Sequence, residues 1–226
     1  MNTYPTNKLF YNKYIYKMRV KADLSALFRG MNLAFAKEKI DEMQSYAERD
    51  MTIPSPFFRF RQNRDTVSLE TFMDSYAIYR ILEQNADKCS VRVENRCLDV
   101  YTNEKSWLLE FPKKVQCVGL WEPTNDKIAD FLLDNQINTQ ITEKPIEWCY
   151  KAFLAKQVDP KFAEFCRNNK KHLKIGKVAL EAIEKNHWTQ GFYFRVKSEK
   201  YLMLAKIAAG SGITKVIKYV SQDQLA

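Results

Sequence analysis

Four short stretches of the chain place cations at alternate positions, with apolar residues between them. In the first stretch, residues 14–21, the cations are Lys17, Arg19 and Lys21. Successive side chains of a β-strand point to opposite faces, so this alternation predicts a strand with one apolar and one basic face. Three further stretches, 57–61, 90–94 and 192–197, also alternate apolar and polar residues. The candidate binding residues on their polar faces are Arg59, Arg61, Arg92, Tyr193, Arg195 and Lys197.

These strands would form a basic platform if they shared one sheet. Lys and Arg neutralise phosphates, and aromatic side chains among them can stack on unpaired bases. The sequence therefore predicts non-catalytic binding of nucleic acid, with single-stranded DNA or RNA favoured over a specific duplex. The alternative is a sheet that only shows its polar face to water, with long basic side chains shielding apolar surface.

A second basic cluster lies between two segments with helical periodicity. A loop of this composition can hold a phosphate backbone, or it can be a solvated turn. Its candidate nucleic-acid-binding residues are Arg167, Lys170, Lys171 and Lys174.

Enzymatic chemistry has weaker support. Asp99 and Glu110 on neighbouring strands could hold Mg²⁺, with Lys113 near the attacking water, as in metal-dependent nucleases. However, Lys113 lies one residue too far from Glu110 for the E-x-K spacing, and Pro112 disturbs the strand. The two histidines form no metal-binding pair, and no glycine-rich phosphate loop is present. We therefore predict no catalytic residue, metal or cofactor.

The third class of function is binding of a protein partner. The segment 199–209 is apolar on several sides of a predicted helix, which predicts burial against the sheet and against either the helical section of the chain or another subunit, a protein partner or a second copy. Tryptophans such as Trp121, Trp148 and Trp188 are typical of interface hot spots. Steep salt dependence would favour nucleic acid over an apolar interface.

Composition sets the broad class. The chain has 226 residues, a net charge of +9 and 46% hydrophobic residues, as expected for a folded basic protein. Five widely spaced cysteines without a C-x-x-C motif, no apolar leader and no membrane span predict a cytoplasmic protein. Abundant Lys, Asn, Tyr, Phe and Ile suggest an A+T-rich genome, such as that of a virus, and hence a virus-infected cell.

The order of patterns predicts an α+β fold, with a mixed sheet, ferredoxin-like βαβ units at the two ends of the chain and a helical section between them. The predicted parts are a sheet domain at 1–122, a helical section or insert at 123–188, and a βαβ unit at 189–226 that completes the sheet. Within them, 106–111 is predicted as a strand, and Pro145 is predicted to start a helix that includes Phe153.

Overall fold

The computed structural model describes residues 1–57, 66–134 and 138–225, and it confirms the α+β class. The chain forms two compact units. The first contains Met1–Thr6 and Lys13–Thr124, and the second contains Asn7–Asn12 and Asn125–Ala226. Within the described residues, no helix is both long and apolar enough to cross a membrane.

The first unit contains a five-stranded sheet and a separate two-stranded ribbon. Its strands are β1 (Asn2–Pro5), β2 (Tyr16–Lys21), β3 (Ile53–Pro54), β4 (Thr66–Val67), β5 (Cys89–Glu94), β6 (Cys97–Thr102) and β7 (Cys117–Glu122). The sheet order is β1-β7-β2-β6-β5, and β3 pairs with β4. The hairpin between β5 and β6 turns at Asn95 and Arg96, which both have positive φ, as a tight two-residue turn requires.

The helices of the first unit cover one face of this sheet. They are α1 (Leu33–Ala47), α2 (Leu69–Gln84), α3 (Lys105–Leu108) and α4 (Phe111–Lys114). Ser68 caps α2, since its hydroxyl accepts a hydrogen bond from the Thr71 backbone N–H. The predicted strand at 106–111 is wrong, because this segment contains α3 and the start of α4 and buries Trp107, Leu108 and Phe111.

The second unit has its own sheet and its own buried core. Its strands are β8 (Thr139–Thr142), β9 (Tyr150–Leu154), β10 (Leu173–Ile175), β11 (Tyr193–Val196) and β12 (Ile213–Ser221). Its helices are α5 (Asp126–Asp134), α6 (Lys161–Asn168), α7 (Lys177–Glu184) and α8 (Glu199–Ala209). The sheet order is β10-β11-β9-β12-β8.

This sheet corrects the predicted division of the chain. Residues 123–188 contribute β8, β9 and β10 as well as helices, and the βαβ unit at 189–226 joins those strands instead of the sheet of residues 1–122. The segment after Pro145 is strand β9, not a helix. Its pairing on both sides, with β11 and with β12, satisfies its backbone within the sheet.

The two sheets have the same topology. Numbered along the chain within each five-stranded sheet, which leaves out β3 and β4, the strands lie in the order 1-5-2-4-3 in both sheets. In both, the pair 1–5 is parallel and the other neighbouring pairs are antiparallel. Helices connect strand 2 to strand 3 and strand 4 to strand 5 in both units, as in the βαββαβ arrangement of ferredoxin-like folds, and the second unit has an additional helix, α7, between strands 3 and 4.

Candidate nucleic-acid interface

The predicted basic residues do not lie on one common face. Lys17, Arg19 and Lys21 lie on β2 and Arg92 on β5 of the first sheet, whereas Tyr193, Arg195 and Lys197 lie on or just after β11 of the second sheet. Arg59 and Arg61 lie outside the described residues. The single shared platform is therefore wrong, because the two ends of the chain belong to different sheets.

On the first sheet, Lys17 and Arg19 are paired with acids from neighbouring strands, and Arg92 is paired with an acid of its own strand. Arg19 Nε lies 2.6 Å from Asp99 Oδ1, and Arg19 Nη2 lies 2.9 Å from Glu94 Oε2. Lys17 Nζ lies 3.3 Å from Asp99 Oδ2, and Arg92 Nη2 lies 3.9 Å from Glu94 Oε1. Because three of the four predicted cations of this sheet are compensated in this way, and only Lys21 forms no ion pair with a described residue, the first sheet does not offer the basic surface that the sequence predicts.

The pairing is strong enough to keep a buried carboxylate charged. Burial of Asp99, which is 2% exposed, acts to raise the pKa of its carboxyl. The hydrogen bond from Arg19 and the charges of Lys17 and Arg19 outweigh burial, so the net pKa of Asp99 lies below its ordinary value. The hydrogen bond to Asp99 also raises the pKa of Arg19. Asp99 thus has a structural role as counter-ion.

The candidate nuclease residues are not brought together on adjacent strands. Asp99 lies on β6, whereas Glu110 lies between α3 and α4 and forms a local ion pair with Lys113, at 2.8 Å. Within the described residues, no three His, Cys, Asp or Glu side chains are placed to hold a metal ion.

The second sheet presents a different surface on the face away from its core. Ala152 of β9 and Phe194 and Val196 of β11 are buried on the core side, among residues of α6 and α8. The opposite side, the open face, carries the alternate residues of the same strands. Cross-strand pairs on this face are Phe153 with Tyr193, Lys151 with Arg195, Lys174 with Arg195, and Lys215 with Phe153.

The centre of the open face is an aromatic pair with cations beside it. The rings of Phe153 and Tyr193 lie 6.0 Å apart between centroids, at 53°. Lys151 Nζ lies 3.9 Å from the centroid of the Tyr193 ring, and the Arg195 guanidinium lies 5.9 Å from it. Tyr193 is 41% exposed.

The charge of this face is not compensated from within its own sheet. The five strands β8 to β12 contain four Lys and one Arg but no Asp or Glu. At the margin, Lys197 Nζ lies 2.5 Å from Glu147 Oε1 and 4.9 Å from the centroid of the Trp148 ring. The second unit has 18 Lys and Arg against 11 Asp and Glu, and the first unit has 18 against 16. Most of the net charge therefore belongs to the second unit.

Sequence reasoning missed Lys151, Phe153 and Lys215 as candidate binding residues, and it named Trp148 only for a protein interface. The alternation that marks β9 is present in residues 150–154, but the apolar residues from Ile146 onward also have helical spacing after Pro145. The facing of Phe153 and Tyr193 depends on strands separated by about 40 residues, so only the sheet register reveals it.

One margin of the open face is bounded by the segment Asn7–Asn12. The carbonyl oxygen of Asn7 accepts a hydrogen bond of 2.7 Å from the Ile141 backbone N–H on β8. Leu9 of this segment, together with Lys215 and Ile217 of β12, lines a small cavity of about 70 Å³. The exposed part of the open face therefore extends from β12 across β9 and β11 toward the edge strand β10.

The second basic cluster is partly joined to this surface. It connects α6 to strand β10, not to another helix, and Lys174 lies on β10 next to Arg195. Arg167 of α6 is ion-paired with Glu184 of α7, whereas Lys170 and Lys171 are exposed in the turn.

The helix α8 buries one side only in the single chain. Leu202, Ala205 and Ala209 are buried, whereas Met203 and Ile207 are 60% and 78% exposed. The predicted second contact of this helix is formed within the chain, since Leu202 and Ala205 share a buried core with Phe162 of α6, whereas Met203 and Ile207 stay exposed.

Comparison with known proteins gives no relative from which a function could be transferred. No family model, no curated protein and no solved structure matches the chain.

Proposed function

We propose that the protein binds single-stranded nucleic acid, without catalysis, through the open face of the second sheet. The observation that carries the proposal is the pair of half-buried Phe153 and exposed Tyr193, flanked by Lys151, Lys174 and Arg195 on strands that contain no acid. Aromatic side chains on central strands of a ferredoxin-like sheet can stack bases, while neighbouring cations neutralise phosphates.

Binding would replace an internal contact with a stronger one. In the free protein, the Lys151 ammonium lies over the Tyr193 ring. A cation–π contact at an exposed site contributes about 0.5–1 kcal/mol, whereas a base stacked on an aromatic ring contributes about 1–3 kcal/mol. A base that displaces Lys151 therefore gains free energy, and the released ammonium becomes available to a phosphate.

Unpaired bases suit this surface better than a duplex. Rings that lie side by side on a sheet offer flat contact to splayed bases, and the bases of a duplex are stacked on one another and inaccessible to such contact. We therefore favour single-stranded DNA or RNA, and the choice between the two stays open to the binding assay below.

The direct test removes the rings while keeping apolar side chains. In the double variant Phe153→Leu/Tyr193→Leu, we expect the affinity for a fluorescent single-stranded oligonucleotide to fall by about 10- to 100-fold, since roughly 1.4 kcal/mol corresponds to tenfold and two stacking contacts are lost. Fluorescence anisotropy titrations at fixed salt measure this change, with single-stranded DNA, single-stranded RNA and duplex competitors.

Phe35→Leu provides the matched control. Phe35 is a comparably exposed aromatic residue on α1 of the first unit, and we expect no change in affinity from its replacement. Equal affinities of the wild type and the double variant, or tighter binding of duplex than of single strands, would refute the proposal.

A protein partner is the second candidate function. Met203, Leu204 and Ile207 are exposed large apolar residues on the single helix α8, and grouped residues of this kind mark interaction sites. This favours a contact between this side of the second unit and another protein or a second copy of the chain. Sedimentation of the wild type and of Ile207→Lys would test self-association. Localisation in the cytoplasm, including that of a virus-infected cell, stays a prediction.

A further inference from the structure

A cavity at the β10 edge of the second sheet combines cations with an aromatic wall. Its volume is about 270 Å³, close to the lower end of the ~300–1,000 Å³ typical of small-ligand pockets. Its lining includes Trp148, Arg167, Lys170, Lys174, Ile175 and Leu180. Lys174 also belongs to the open face, so the cavity lies where that face ends.

Some of the cations around this cavity are held in ion pairs, and others are available to a ligand. Arg167 is paired with Glu184, and Lys197, whose ammonium lies over the Trp148 ring, is paired with Glu147. In the described part of the chain, Lys170 and Lys174 have no ion-pair partner within salt-bridge distance. Glu147 lies farther from Lys174 than that, and its pKa is lowered mainly by the hydrogen bond and charge of Lys197 and only slightly by the charge of Lys174. Two unpaired ammonium groups therefore line the cavity.

The number of unpaired charges indicates the kind of phosphate. A phosphate monoester carries a charge of about −1.5 to −2 near neutral pH. A phosphodiester within a strand carries a single negative charge. Two lysines match the monoester, and the Trp148 indole supplies a wall on which a base can stack.

The position of the cavity fits the end of a bound strand. The other margin of the open face is bounded by Asn7–Asn12, so a strand that crosses the aromatic pair leaves the sheet at β10. We propose that this cavity binds the phosphorylated terminal nucleotide of the single strand that lies on the open face. The proposal rests on the proposed function and adds recognition of a terminal phosphate monoester.

The test compares matched oligonucleotides that differ only in their ends: unphosphorylated, 5′-phosphorylated and 3′-phosphorylated. For the wild type, we expect about tenfold tighter binding of one phosphorylated form, because charge-assisted hydrogen bonds to the added group are made at a preformed site. Lys170→Ala should remove most of this preference and change the affinity for the unphosphorylated strand by less than about twofold.

The matched control is Lys161→Ala, since Lys161 is an exposed lysine at the start of the same helix, α6. It should retain the full preference for the phosphorylated end. The inference is overturned if the wild type shows no preference, if the preference survives in Lys170→Ala, or if Lys161→Ala reduces it equally.

A second measurement separates this inference from the proposed function. The indole ¹H–¹⁵N signal of Trp148, assigned with Trp148→Phe, should shift on addition of a nucleoside monophosphate and not on addition of the nucleoside or inorganic phosphate alone. If oligonucleotides bind but this signal never moves, the cavity site is wrong and the open face stands. If the signal moves but no oligonucleotide binds, the open face is wrong and the nucleotide site stands. An equal shift with inorganic phosphate overturns the nucleotide site.

Discussion

At the residue scale, the two sheets use the same two strands, the second and the fourth, for different chemistry. On the face away from the core, Arg19 of β2 faces Asp99 of β6 in the first sheet, and Phe153 of β9 faces Tyr193 of β11 in the second. The first pair neutralises itself inside the protein, whereas the second leaves aromatic and basic groups available to a ligand. Binding function therefore follows from the side chains placed on a shared topology, not from the topology.

The acid–base pairing of Asp99 predicts a specific loss of stability. Asp99→Asn should lower the free energy of unfolding at pH 7 by about 2–3 kcal/mol, because Lys17 and Arg19 lose their counter-ion. The cost is smaller than the ~3–5 kcal/mol of fully buried pairs, since the Arg19 side chain is 28% exposed. Urea unfolding curves of the two proteins measure it.

The pairing of Asp99 also predicts how the stability difference between the wild type and Asp99→Asn depends on pH. The pKa of Asp99 in the folded protein lies below its unfolded value of about 3.9, so its stabilisation is complete above about pH 4 and is lost as the pH falls through the folded pKa. The difference between the wild type and Asp99→Asn should therefore shrink in acid. A difference that is constant from pH 7 to pH 2, or that is absent at pH 7, would contradict the counter-ion role.

At the scale of elements, successive side chains of strand β11 have different roles: those on the core face stabilise the protein, and those on the open face are available for binding. Phe194 of β11 is fully buried against Phe162 of α6, with ring centroids 5.3 Å apart, and its neighbour Tyr193 points to the open face. Phe194→Ala should cost about 3–5 kcal/mol of stability, and Tyr193→Ala less than about 1 kcal/mol.

Thermal and urea unfolding of the two variants test this assignment of faces. The order of the two effects should reverse in the oligonucleotide titration: Tyr193→Ala should weaken binding more than Phe194→Ala does, although the Tyr193→Ala protein stays folded. If Tyr193→Ala destabilises the protein as much as Phe194→Ala, then Tyr193 belongs to a core and cannot serve as a binding platform.

The elements that the sequence predicts best are those with local signals. The βαβ unit formed by β11, α8 and β12 follows from the alternation in its strands and the apolar helical segment between them, all within a short window. The strand β9 was mistaken for a helix because its apolar residues satisfy both periods, and β10 has only three residues. The pairing of Arg19 with Asp99 joins residues 80 positions apart, which a single sequence does not reveal.

At the scale of the whole molecule, the charge is unevenly divided between units of equal topology. The second unit has an excess of seven basic residues and the first unit an excess of two. Since affinity for a polyanion depends on the phosphates that are neutralised, the salt dependence of binding should depend on the second unit.

This division predicts the effect of two matched triple variants. Lys151→Gln/Lys174→Gln/Arg195→Gln should reduce the slope of log affinity against log salt concentration by about 2, because each phosphate contact of a single strand contributes about 0.7. Lys21→Gln/Arg92→Gln/Lys113→Gln, with the same loss of charge in the first unit, should leave the slope nearly unchanged. A similar reduction in both variants would indicate non-specific attraction to net charge.

The most direct measurement is photochemical cross-linking of the wild-type protein to a single-stranded oligonucleotide that contains a photoreactive base, followed by mass spectrometry of the linked peptides. Stacking of bases on the open face predicts that the cross-links fall on Phe153 and Tyr193, in the peptides of β9 and β11. Cross-links confined to the first unit, or to the helical side of the second sheet, would contradict it.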